Sequence, residues 1–131
     1  MTAPRILVVM PDQGKRALIR AALREVGYDA IGATNLEEAR RYRAIEPGRG
    51  TVRLLVVEQD ATANATDELH ELLASHHDPP AVLIAHATHD VPAGPWSRIL
   101  RRPVSVAEIV AAVESEVSLP DDARHPMDGD S

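Results

Sequence analysis

Residues 52–57 read VRLLVV and are followed at once by Glu58. An apolar, β-branched run without polar alternation is the pattern of a strand covered on both faces, as in a parallel sheet. Ile6–Met10 (ILVVM) has the same character. Between the two runs, Gln13–Val26 gathers Leu18, Ile19, Ala22, Leu23 and Val26 on one helical face, and Gly27 stands where a helix ends. Asp29–Ala33 reads as a short strand. Thr34 and Glu37 have the spacing of a capping box, opening a helix with Leu36, Ala39 and Tyr42 inward. Glu46–Gly50 (EPGRG) reads as a loop. After Glu58 come a helix with Leu69, Leu72 and Leu73 inward, a strand at Ala81–Ala85 (AVLIA), and a strand around Ile99 and Leu100. A last helix carries Val106, Ile109, Val110, Val113 and Val117 on one face. Five strand–helix alternations call for an α/β fold, with a parallel sheet, right-handed crossovers and helices on both faces.

The 131 residues suit one domain, and 44% apolar residues are enough for a core of its own. The absence of cysteine removes disulfide scaffolds, thiolate metal sites and cysteine nucleophiles. The opening apolar run is too short for a signal-peptide core or a membrane span, so a cytoplasmic, membrane-free protein is expected. A net charge of −6 argues against general affinity for nucleic acid, and Tyr28, Tyr42 and Trp96 are too few for a base-stacking platform. Residues 1–118 are read as the domain. Residues 119–131, with four aspartates against Arg124, are read as an acidic, disordered tail.

In open sheets of this kind chemistry sits at the C-terminal ends of the strands. Those ends carry Met10 and Pro11, Glu58, His86, and Arg101 and Arg102. With ILVVMPDQ at 6–13, RLLVVE at 53–58, VLIAHA at 82–87 and LRRPV at 100–104, the chain from Arg5 to about Val117 resembles the response-regulator receiver domain. The resemblance implies a flavodoxin-like doubly wound sheet of five strands in the order 2-1-3-4-5. It also implies which positions would carry phosphoryl chemistry, and there the chain departs from the pattern. Met10 and Pro11 stand where the family has an acidic pair for Mg²⁺. Glu58 replaces the phosphoacceptor aspartate. His86 replaces a Thr or Ser, and Arg102 replaces the Lys before Pro103, which the family suggests is a cis proline. Ile99 stands where a switching aromatic residue is common. Asp12 would reach the metal position only through a slip of one residue.

Each lost residue had a physical task. In-line attack on phosphorus needs a carboxylate oxygen set to a fraction of an ångström, with a cation to spread the charge, and Mg²⁺ needs oxygen ligands in near-octahedral order. The expectation is therefore a degenerate pseudo-receiver: no catalysis, no cofactor, no bound metal, and regulation through other signalling or regulatory proteins, with a homodimer left open. Glu58 is either a mimic of the phosphorylated state or a carboxylate neutralised by Arg102 or hydrated at the sheet edge; arginine pairs readily with carboxylates. Only 12 residues separate His86 from Ile99, so the fourth helix is expected to be shortened or missing. Arg16, Arg20 and Arg24 recur every four residues and are the expected partner-binding stripe, with Arg40, Arg41 and Arg43 a second cluster. Two alternatives are a small-molecule sensor that uses the vacated acidic pocket and a DNA-associated transcription regulator. His86, His89, Asp90 and Glu58 form a weak metal-like set. His70, His76 and His77 lack the spacing of a helical metal site.

Overall fold

The computed structural model describes residues 3–42, 45–46, 48–62, 66–88, 90–92 and 94–119. Its elements are β1 (Arg5–Val9), α1 (Gln13–Val26), β2 (Asp29–Ala33), α2 (Leu36–Ala39), β3 (Ile45–Glu46), β4 (Gly50–Glu58), a 3-10 turn (Gln59–Ala61), α3 (Thr66–Ser75), β5 (Ala81–Ala85), β6 (Trp96–Arg101) and α4 (Val106–Glu116). Five strands pair in parallel in the order β2-β1-β4-β5-β6, which is the flavodoxin-like order 2-1-3-4-5. The two apolar runs, β1 and β4, lie side by side at the centre, where both faces are covered.

Alternation along these strands builds two cores. Ile6, Val8, Leu54, Val56, Val82 and Ile84 meet Ile19 and Leu23 of α1 and Ile109 and Val113 of α4. On the other face Leu7, Val9, Leu55 and Val57 meet Leu36 and Ala39 of α2 and Leu69, Leu72 and Leu73 of α3. Gly27 ends α1 at φ 126°, a conformation that glycine adopts without the steric cost of a Cβ.

Several local expectations are corrected. The N-cap of α2 is Asn35, whose side chain accepts from the Glu38 N–H at 2.8 Å, while the Glu38 carboxylate takes the Thr34 N–H. The capping pair thus sits one residue later than Thr34 and Glu37, consistent with the better capping geometry of Asn. α2 ends at Ala39, so Tyr42 lies beyond it and donates its hydroxyl to the Gly32 carbonyl at 2.6 Å. β4 begins at Gly50, inside the expected loop, where β3 pairs with it antiparallel. Leu18 is 59% exposed although it shares the apolar arc of α1, because a cleft lies where a neighbour would cover it. Leu119, assigned above to the tail, is buried in the core. The rest of the tail, along with Arg43 and His89, lies outside the described residues.

Between β5 and β6 no helix occurs among the described residues. Ile99 pairs with Leu83, on the sheet face that holds α3, and is left 44% exposed. The edge at β2 is managed differently. Its Ala30 carbonyl accepts from Arg20 Nε at 3.3 Å and Arg24 Nη2 at 3.1 Å, and its Gly32 carbonyl accepts from Tyr42. A Cβ on Gly32 would come within 2.9 Å of Arg20 Cδ and 3.0 Å of Arg16 Cδ, so the arginine stems lie directly across this strand. Side chains that occupy outward carbonyls block the pairing of a further strand.

His76 is buried, and neither ring nitrogen has a hydrogen-bond partner among the described residues. Burial, and then the positive charges of Arg5 and His77, hold its pKa below the ordinary imidazole value. Its folded state therefore favours the neutral ring, and the stability it supports is present above about pH 6.5 and lost as pH falls further. We expect His76→Phe to flatten the part of the denaturation-midpoint decline that begins below that pH. A midpoint curve identical to wild type between pH 7 and 5, to within about 0.3 kcal/mol, would contradict this.

Candidate functional site

Glu58 is the last residue of β4 and shares its side with Leu54 and Val56, so its carboxylate enters the layer held by α1 and α4. It is 3% exposed. Burying a carboxylate is tolerated only with compensation. Arg102 Nη2 lies 3.2 Å from Glu58 Oε2, and Lys15 Nζ, one turn into α1, lies 3.9 Å from the same oxygen. Arg102 follows β6 and precedes Pro103 through a cis peptide bond.

The same Arg102 Nη2 lies 3.1 Å from Asp60 Oδ2, and the other oxygen of Asp60 meets His86 Nε2 at 2.5 Å. The His86 bond, followed by the one from Arg102, holds the Asp60 carboxyl below the usual carboxylate range. Gln59 fixes the frame around them: its Oε1 accepts from the His86 N–H at 2.8 Å and its Nε2 donates to the Asp90 carbonyl at 2.9 Å. The end of β4 is thereby tied to the connection between β5 and β6.

Of the sequence-derived positions, Glu58 and Arg102 meet directly, and His86 joins them through Asp60. Met10 is buried in the core and lines the same cleft as Glu58. Pro11 and Pro103 are exposed. Asp12 is the N-cap of α1, accepting from the Lys15 N–H at 3.0 Å, and that bond lowers its carboxyl pKa. The residues therefore do not fit Mg²⁺. Met10 and Pro11 supply no carboxylate, one Asp12 oxygen caps the helix start, and Glu58 is covered by two cations. Among the described residues no group of three or more His, Asp or Glu is placed to hold a metal ion.

Lys15, Gln59 and Asp60 were missed in the sequence. Gln59 and Asp60 carry no motif, and the signal that was available was their position directly after the end of a central strand. The stripe of Arg16, Arg20 and Arg24 is also less free than its spacing suggests. Arg16 Nη1 donates to the Met10 carbonyl at 2.7 Å, and Arg20 and Arg24 share the Ala30 carbonyl. Each guanidinium has five N–H groups, so donors remain for a partner.

Beside the ion cluster is a cleft of about 480 Å³ between α1, the ends of β4 and β5, and the turn leading into α4. Met10, Lys15, Leu18, Glu58, Arg102 and Ile109 are among its walls. No helix is long and apolar enough to cross a membrane among the described residues.

No family model matches the sequence, and no curated protein matches it. Solved structures do. A response regulator from Thermotoga maritima is 19% identical, with 88% of this chain and 98% of that one covered and a TM-score of 0.66. A response regulator receiver domain (CheY-like) from Methylobacillus flagellatus is 14% identical over 88% of this chain and 100% of its own, with a TM-score of 0.69. An adenylate cyclase from Rhodopirellula baltica is 16% identical over 87% of both chains, also at 0.69. At these identities the likeness establishes the receiver fold.

Proposed function

We propose that this chain is a degenerate, phosphorylation-independent receiver, a regulatory module that acts by binding other signalling proteins and performs no catalysis. The observation that carries this reading is the state of Glu58. It stands at the phosphoacceptor position, buried, with Arg102 and Lys15 on one of its oxygens and with Met10 where a metal carboxylate belongs. A carboxylate held this way is neutralised in place, and no metal helps to spread the charge of a transferring phosphoryl group.

A test follows from separating the two defects. Glu58→Asp restores the acceptor side chain but not the metal site, so acetyl phosphate with Mg²⁺ should leave that variant unlabelled. Met10→Asp, Pro11→Asp and Glu58→Asp together supply the missing carboxylates, and this triple variant is the one to incorporate phosphate. Labelling of the single variant to near stoichiometry would show that the metal carboxylates are not limiting.

For the partner surface, the reading favours the α1 side. The net-basic stripe of Arg16, Arg20 and Arg24 lies there, suited to an acidic protein surface. Changing all three to Glu should weaken partner capture strongly, and salt should weaken the wild-type complex. The change also breaks hydrogen bonds to the Met10 and Ala30 carbonyls, at about 1 kcal/mol each. Changing all three to Gln, which keeps donors on side chains of moderate length, separates lost charge from lost edge capping. Capture that survives the Glu changes undiminished would move the partner surface elsewhere.

A further inference from the structure

We propose that the cleft beside Glu58 binds a small amphipathic monoanion, an aliphatic or aromatic carboxylic acid whose carboxylate meets Lys15 and Arg102 and whose apolar body lies along α1 and α4. The inference goes beyond the regulatory reading and does not depend on it.

The volume of about 480 Å³ lies within the range of small-molecule sites, and nine of the twelve lining residues are apolar. Leu18, on the rim, is 59% exposed on a helix whose other large apolar residues are covered. An organic body in the cleft would remove that side chain from water. The charged lining of the cleft is Lys15, Arg102 and Glu58; Asp60, the second carboxylate on Arg102, lies outside the lining and is shared with His86. Lys15 is the one lysine in the sequence. Its side chain is 55% exposed and its Nζ stands 3.9 Å from Glu58, beyond hydrogen-bond length, so it can turn to a ligand without giving up a short bond. In the same wall Arg102 keeps its Nε–H buried, with no hydrogen-bond partner among the described residues. A buried donor left unmade is costly, and a carboxylate is the acceptor that suits a guanidinium.

The same geometry selects against other charges. A cationic ligand would compete with Arg102 and Lys15 for Glu58, the carboxylate both already face. A phosphate dianion would set two charges against that buried carboxylate. A monoanion can meet Lys15 and the Arg102 guanidinium while setting only one charge against Glu58.

The test uses the full chain and three probes of equal length: sodium octanoate, octylammonium chloride and 1-octanol, each titrated calorimetrically up to about 5 mM, the weak end of measurable affinity. Octanoate should bind saturably at one site per chain and at least tenfold more tightly than octylammonium, with octanol between them. Lys15→Ala should weaken octanoate about tenfold while leaving octanol unchanged, and Leu18→Glu should weaken both. Both positions are exposed, so the fold is retained, and circular dichroism checks it. The proposal is overturned by the absence of a saturable octanoate site, by tighter binding of octylammonium, or by octanoate affinity that neither variant alters. None of these results bears on phosphorylation, which a separate assay reads.

Discussion

Met10→Asp is expected to lower the unfolding free energy by about 3–5 kcal/mol at neutral pH, the range for an unpaired buried charge. Met10 is 2% exposed and packs in the core formed by β1, α1 and α4. A carboxylate there loses the dispersion contacts of the thioether, leaves water, and lines the same cleft as Glu58. Lys15 offsets part of this, because it also faces that cleft. The new carboxyl would have its pKa raised by burial and by Glu58, so its destabilising effect is present at neutral pH and relieved as pH falls and the group takes up a proton. Urea denaturation of the variant and wild type at pH 7.5 and 5.5 checks both statements. A loss under about 1 kcal/mol at pH 7.5, or one that grows toward pH 5.5, would mean that this end of β1 is open to water.

Arg102→Ala should cost about 2–3 kcal/mol, less than the full figure for a broken buried pair because the Arg102 side chain is itself 28% exposed. The loss arises less from the missing contact than from the buried Glu58 carboxylate, left among the described residues with Lys15 at 3.9 Å as its ion partner. Asp60 is affected less, since it is half exposed and retains His86. The double variant Arg102→Ala, Glu58→Gln should recover most of the stability, because the amide has no charge to compensate. A double variant no more stable than Arg102→Ala alone would show that the pair is not the origin of the loss.

The frame of the fold was legible because two-sided burial leaves an unmistakable mark: ILVVM and AVLIA admit no exposed face. The end of β4 was legible for the same reason, since Glu58 is where the apolar pattern stops. The shortened connection after His86 was a matter of length, and the structure agrees. What the sequence hid depends on distances across the chain. Asp60 matters because His86 and Arg102, 26 and 42 residues away, converge on it, and nothing local marks it. The arginine stripe was visible as a spacing, but spacing does not tell that β2 lies beneath with the outward Ala30 carbonyl that Arg20 and Arg24 share. Leu18 fits the helical period of the core, yet the period specifies a direction and not whether another side chain fills the space in that direction. The cap of α2 lies one residue later because Thr34 and Asn35 are both competent caps and Asn is the stronger of the two.

The central claim is that the Glu58 position accepts no phosphoryl group. It is tested most directly by incubating the wild-type chain with acetyl phosphate and Mg²⁺ and weighing the intact protein. The account predicts an unchanged mass over a time in which a functional receiver is labelled alongside it. A gain of one phosphoryl group, removed again by hydroxylamine as an acyl phosphate must be, would contradict it.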